Sequence, residues 1–199
     1  MHDLSDGLAR FRRDVFPAKA GLFAHLATTH RPTTLFIGCS DARVVPELIT
    51  QSEPGELFVV RTAGNLVPAH SCDPDGVAAS IEYAVAVLHV SDIVVCGHSA
   101  CGAMTALAEG HDLSAAPVVS GWLRHADAAR ARAAAVPEPP GPGRVAALVR
   151  ANVSAQLQNL ATHPSVARAL AEGTLTLHGW VFDIATGAVD PVDAAAIAA

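Results

Sequence analysis

Charge is scarce in this sequence. Asp, Glu, Lys and Arg make up 16% of 199 residues, and their balance is −6 at pH 7. No long Lys/Arg run offsets that acidic balance, which argues against nucleic-acid binding as the main activity. With 51% hydrophobic residues, the chain is far from the composition of a disordered one. Long apolar runs are also missing. Mean hydropathy is +0.33, yet the most apolar stretch, Val77 to Val95, is broken by Glu82, His89, Ser91 and Asp92. A membrane-spanning helix wants about 20 nearly unbroken apolar residues. The opening Met1-His2-Asp3-Leu4-Ser5-Asp6 lacks the apolar centre of a signal peptide, so the expectation is a soluble, cytoplasmic protein with no membrane and no nucleic-acid partner. Four cysteines are too few for a disulfide scaffold. In a reducing compartment they point instead to metal or catalytic roles. There is no internal repeat, no P-loop and no C-x-x-C pair.

What is present fits one domain, since domains commonly run about 100–200 residues. Three short, β-branched apolar runs read as strands inside a parallel sheet: Thr33–Gly38, Glu56–Arg61 and Asp92–Cys96. Between the second and third, Val77, Ile81, Ala84, Val85 and Leu88 recur at helical spacing, which gives a β-α-β unit. A fourth strand is predicted over Thr174–Trp180, followed by a hairpin over Val181–Val189 that turns near Thr186-Gly187. Helices are predicted over Leu4–Phe16, Gly102–Glu109, Gly121–Ala135 and Arg144–Thr162. Pro137–Gly143 reads as a loop within the domain. The predicted fold class is α/β: a mostly parallel central sheet of about four parallel strands plus an antiparallel edge strand, flanked by helices.

Sites in such sheets form beyond the carboxyl ends of the strands. One strand end here carries Cys39-Ser40-Asp41-Ala42-Arg43, and another carries Gly97-His98-Ser99-Ala100-Cys101-Gly102. Neighbouring parallel strands would bring these turns together. Cys39, His98 and Cys101 then offer two thiolates and one imidazole, a donor set suited to Zn²⁺. His98 and Cys101, three apart, share one face of a tight turn. Three protein ligands leave a fourth position open, the mark of a catalytic zinc. Asp41 is the candidate beside that position, and Arg43 can grip it in a bidentate pair. Taken singly, a Cys after a strand is more often a small buried hydrophobe; the joint placement carries the inference.

These motifs, with Arg61-Thr62-Ala63-Gly64-Asn65, resemble the β-class carbonic anhydrases in order and separation, from about Phe16 to Phe182. The resemblance implies a lyase that interconverts CO2 and water with bicarbonate and a proton through zinc-bound hydroxide. It implies one zinc per chain on Cys39, His98 and Cys101, with Asp41 and Arg43 as the catalytic dyad. It also implies a substrate pocket that includes Phe58, Ala63 and Tyr83, shared between subunits of an obligate homodimer, with a tetramer as the alternative. The whole chain, 1–199, would be one such domain, with a helical arm over about 1–30 and a tail over about 190–199. Backbone N–H groups at Gly102 suit the developing carboxylate oxygens. Some members inactivate when the aspartate leaves its arginine and binds zinc, which implies activity falling at low pH.

Three departures stand out. Ala42 replaces a usual Ser. His30 stands where many members carry a substrate-binding Gln, and a neutral imidazole can also donate a hydrogen bond; an exposed loop histidine explains it equally well. Phe36 and Phe182 occupy positions where one subset holds an inhibitory bicarbonate with Trp and Tyr, so no such site is expected. Rival functions are a carbonyl sulfide or carbon disulfide hydrolase on the same scaffold, and a catalytically silent zinc-containing binding or sensor protein. The Asp41 and Arg43 pair argues against the latter. Cys72 and Cys96 read as loop and strand-core residues, Trp122 and Trp180 as packing residues, and His70, His111, His125 and His163 as mostly solvated.

Overall fold

A computed structural model describes residues 3–73, 75–135 and 141–192. The chain divides into two compact units, Met1–Arg31 and Pro32–Ala199. In the first, α1 (Leu4–Arg10) and α2 (Phe16–Leu26) are joined by a π-helical turn, Phe11–Val15. The sequence predicts an end at Phe16; the helical path instead continues to Leu26, with Pro17 directly after the π-helical turn, whose i→i+5 bonding accommodates a residue without an N–H. Phe11, Phe16 and Phe23 cluster, with Phe16 stacked on Phe23 at 5.5 Å between ring centroids.

The second unit holds a five-stranded sheet: β1 (Thr34–Cys39), β2 (Leu57–Thr62), β3 (Asp92–His98), β4 (Thr176–Phe182) and β5 (Val189–Val192). Its spatial order is β2-β1-β3-β4-β5. The first four are parallel and β5 runs antiparallel to β4, with Phe182 opposite Val189. β1 and β3 are central and almost wholly buried, as their β-branched runs require. The chain leaves β1 toward β2 on one side and leaves β3 toward β4 on the other. The carboxyl ends of β1 and β3 therefore flank the point where strand order reverses, the usual place for a crevice.

Helices of this unit are α3 (Pro46–Thr50), α4 (Gly76–Glu82), α5 (Gly102–Glu109), α6 (Pro117–Leu123), α7 (Asp127–Ala134), α8 (Pro142–Ala161) and α9 (Pro164–Ala171). Asp75 caps α4 by accepting from the backbone N–H of Val77 and Ala78, each at 2.8 Å. α8 buries a stripe at helical spacing, Val145, Leu148, Val149, Asn152, Val153, Gln156 and Leu160. Side chains of β1 alternate between faces. Leu35 and Ile37 meet α4, α8 and α9 residues such as Ile81, Val153 and Val166, while Phe36 joins Val94, Cys96 and Trp180 on the other face. A Cβ added at Gly97 would lie 2.9 Å from Val153 and 3.0 Å from Val149; this glycine is what lets α8 lie so close to β3.

Predicted Gly102–Glu109 matches α5 at both ends. The helix predicted to begin at Gly121 begins earlier, with Pro117 opening α6. α3 and α9 have no counterpart in the predicted set, and each opens on a proline in its first turn. The predicted Pro-rich connection over 137–143 lies largely outside the described residues, as does the tail beyond 192.

Candidate metal centre

Cys39 closes β1 and His98 closes β3. From His98 the chain turns through Ala100, whose φ of 52° is left-handed. That conformation costs a non-glycine residue about 1–2 kcal/mol, and here it brings Cys101 back to cap α5. The Sγ atoms of Cys39 and Cys101 and a ring nitrogen of His98 all lie within 4.8 Å of one another. All three side chains are buried, His98 completely.

The tautomer of His98 follows from its partner. Nδ1 lies 2.9 Å from the Ser99 carbonyl oxygen. A carbonyl only accepts, so Nδ1 carries the proton and Nε2 presents a lone pair. Nε2 is buried and has no hydrogen-bond partner among the described residues. A polar nitrogen left so costs about 1–3 kcal/mol, which a cation at this point would remove. The two sulfurs differ. The hydrogen bond from Cys101, aided by the backbone of Asp41 and Gly64, lowers the Cys39 thiol against the effect of burial. The same Cys39 sulfur, together with burial, raises Cys101. The two sulfurs interact directly, and a metal ion, which binds thiolates, would displace the protons they hold. Two soft sulfurs plus one unprotonated imidazole nitrogen fit Zn²⁺, and with three protein donors a fourth place remains for solvent.

Asp41 stands beside this cluster, its Oδ2 3.9 Å from His98 Nε2. Arg43 holds it from two arms, Nε to Oδ1 at 2.9 Å and Nη2 to Oδ2 at 2.7 Å, and the Arg43 backbone N–H adds a third bond. That guanidinium beside it keeps the carboxyl far below the usual carboxylate range. Arg43 also donates to the Ala100 carbonyl at 3.2 Å, so the dyad ties together the two loops that carry the sulfurs and the imidazole.

Of the other residues singled out from sequence, Gly102 opens α5 with free space on its Cβ side. Ala63 follows β2, and its carbonyl accepts from Trp122 Nε1 at 2.9 Å. Phe58 and Tyr83 pair with each other, ring centroids 5.9 Å apart. Phe58 stands opposite Leu35, four register steps before Cys39, about 13 Å away along the strand. A single chain therefore does not bring them to the cluster. His30 belongs to the N-terminal unit, exposed beyond its helix. Phe36 and Phe182 lie in the apolar cluster around Val94 and Cys96. Cys96 is buried, and burial pushes its thiol up to about 12.

Several residues with no assigned role from sequence shape the site. Asn152 and Gln156, on α8, form a buried polar ladder: Asn152 Nδ2 donates to the Gly64 carbonyl at 3.0 Å, and Gln156 accepts from the Val67 N–H at 2.9 Å. His163 is not solvated as expected; it is buried with Nε2 3.0 Å from the Pro68 carbonyl. Ser99 Oγ accepts from the Ile184 N–H at 2.9 Å, anchoring the turn after His98 to the β4–β5 hairpin. Backbone partners of this kind leave no mark in a sequence pattern; the polar positions inside the α8 stripe were the available signal for Asn152 and Gln156.

A sequence profile described as carbonic anhydrase matches residues 34–189. The carbonic anhydrase of Pseudomonas aeruginosa is 60% identical over 195 residues, covering 98% of this chain and 89% of that protein. Among solved structures, the beta-carbonic anhydrase CcaA superposes with a TM-score of 0.90 at 40% identity, covering 97% of this chain and 95% of that one. Tetrameric beta-carbonic anhydrases from the filamentous ascomycete Sordaria macrospora reach a TM-score of 0.81 at 33% identity, covering 95% of this chain and 94% of that one. By profile, by sequence and by fold, this chain belongs to the β-carbonic anhydrase family.

Proposed function

We propose that this chain catalyses the reversible hydration of CO2 to bicarbonate and a proton, with one zinc ion held by Cys39, His98 and Cys101. The observation that carries this is the meeting of two sulfurs with a buried, unpartnered imidazole nitrogen. When bound, zinc supplies Lewis acidity that brings the ionisation of a water molecule toward neutral pH. The chain's own residues do the rest. Asp41 is ionised and can only accept, so it takes a hydrogen bond from the reacting water and aims its lone pair at the CO2 carbon. Arg43 occupies both carboxylate oxygens and fixes that orientation. N–H groups at the start of α5, at Gly102, receive the developing carboxylate oxygens. Ala63 supplies an apolar wall.

The Phe58–Tyr83 pair completes the pocket from a second copy of the chain, which makes the working form a homodimer or a tetramer built from it. Support comes from the distance of Phe58 from its own Cys39, the 43% exposure of Tyr83, and the tetrameric Sordaria proteins. No helix among the described residues is long and apolar enough to cross a membrane. Four free cysteines suit a reducing compartment, and we place the protein in the cytoplasm.

The test is zinc content together with stopped-flow CO2 hydration, on wild type and Asp41→Asn. Expected are one zinc per chain in both, and a loss of about 100-fold or more in the variant. Zinc-loaded wild type inert toward CO2 would overturn the proposal; turnover of carbonyl sulfide in that case would install the hydrolase in its place.

A further inference from the structure

Arg61 is the one exposed residue of β2, in register with Gly38 of β1. Among the described residues its guanidinium meets no carboxylate. Instead it spans the loop that leaves β1. Nε donates to the Cys39 carbonyl at 3.0 Å, and Nη2 donates to the carbonyls of Asp41 at 2.6 Å and Val44 at 2.7 Å. Those three oxygens belong to the two ends and the middle of the segment 39–44. The same segment carries one sulfur of the metal cluster and the Asp41 carboxylate.

Arg43 holds the Asp41 carboxylate and reaches the Ala100 carbonyl, but touches none of these three backbone oxygens. Beyond the strand ladder, the other backbone–backbone bonds of this loop among the described residues are two: the Ser40 N–H donates to the Thr62 carbonyl at 2.9 Å, and the Val44 N–H donates to the Asp41 carbonyl at 3.0 Å. The Asp41 carbonyl is therefore held from two directions, by its own turn and by Arg61. Its Cα cannot rotate without breaking one of these bonds. A planar guanidinium matches this arrangement because its donors leave in fixed, divergent directions. A lysine ammonium is a single point and cannot span the same three oxygens.

We propose that Arg61 is a positioning residue for the reaction: by clamping three carbonyls of the 39–44 loop, it sets where the Asp41 carboxylate stands relative to the metal-binding sulfur and imidazole. The proposal rests on the functional reading above. It differs from a general stabilising role because its effect passes through Asp41 while the fold and the metal donors persist. Displacing a catalytic group by about 1 Å can cost 100-fold in rate, so a small slackening of this loop suffices.

The test uses full-length protein as Arg61→Gln and Arg61→Lys, each with bound zinc per chain, kcat, KM, and the visible spectrum of the Co²⁺-substituted form. Both variants should fold and hold one metal. In Arg61→Gln, kcat should fall between about 10- and 100-fold with KM within about threefold. The Co²⁺ bands should shift, because the group beside the metal has moved, and Arg61→Lys should lie between the variant and wild type. Wild-type kcat and bands in metal-loaded Arg61→Gln would overturn the proposal. So would a loss of activity that tracks metal loss alone, or failure of both variants to fold, which would make Arg61 a residue of the fold. If wild type itself holds zinc yet hydrates no CO2, the functional reading fails, and the Co²⁺ bands still decide whether Arg61 shapes the site.

Discussion

Gly97→Ala places one methyl group between β3 and α8, next to His98. The added Cβ would stand 2.9 Å from Val153 Cγ2 and 3.0 Å from Val149 Cγ1, where carbon atoms pack at about 3.5–4.0 Å. The φ of Gly97 lies outside the left-handed region, so backbone strain adds nothing and space alone opposes the substitution. Both opposing methyls sit on one buried helix face, so relief requires β3 or α8 to move. Overpacking of this kind costs about 1–3 kcal/mol, which lowers Tm by about 2–12 °C in a chain of this size. Movement of the β3 end also displaces His98, so zinc affinity should fall. Val153→Ala alone removes two buried methyls, worth about 1.6 kcal/mol. In the double variant the deleted methyls make room for the new one, so its cost should be smaller than the sum of the single costs by at least about 0.5 kcal/mol. Thermal unfolding and a zinc-chelator competition on the four proteins measure both effects. Wild-type Tm in Gly97→Ala, or strict additivity in the double variant, would refute the reasoning.

The other expectations concern polar contacts. Asn152→Ala strips the Gly64 carbonyl and one Gln156 N–H of their partners in a fully buried place. It should cost about 2–4 kcal/mol, read as a drop in the denaturation midpoint with the slope unchanged. At the amino end of β3, His178 and then Ser91 hold the Asp92 carboxyl below its ordinary range. A lowered folded-state value means stability that is present above the unfolded carboxylate pKa, near 3.9, and lost as pH falls through the folded value. Both side chains are more than a third exposed, so the contribution is below about 1 kcal/mol. The Tm gap between wild type and Asp92→Asn should be small at pH 7 and narrow as pH falls below about 3.9; a gap that widens in acid contradicts the sign.

How much of this was legible beforehand depends on what each feature is made of. The strands were legible because β1 and β3 are buried on both faces, which forces continuous apolar runs such as Leu35–Ile37 and Ile93–Val95. The candidate metal cluster was legible because Cys39, His98 and Cys101 are chemically distinctive and sit where strand ends must approach. The continuation past Pro17 was not, because a proline is a stop signal in general and the π-helical turn that accommodates it leaves no mark in the sequence. α9 was hidden behind Pro164, which is harmless because it falls in a first turn, and sequence does not say which turn is first. Arg61 was visible as a motif letter without a task, since its acceptors are backbone carbonyls that every residue possesses. The separation of Phe58 from Cys39 required the register of β1 against β2, which no composition or spacing encodes.

Zinc K-edge X-ray absorption on the full-length protein tests the central claim most directly. The expected shell is two sulfurs at about 2.3 Å and one imidazole nitrogen at about 2.0–2.1 Å, with one further light atom from solvent. Cys39→Ala should leave a single sulfur in that shell. A shell without sulfur, or one unchanged by Cys39→Ala, would contradict a metal centre built where β1 and β3 end.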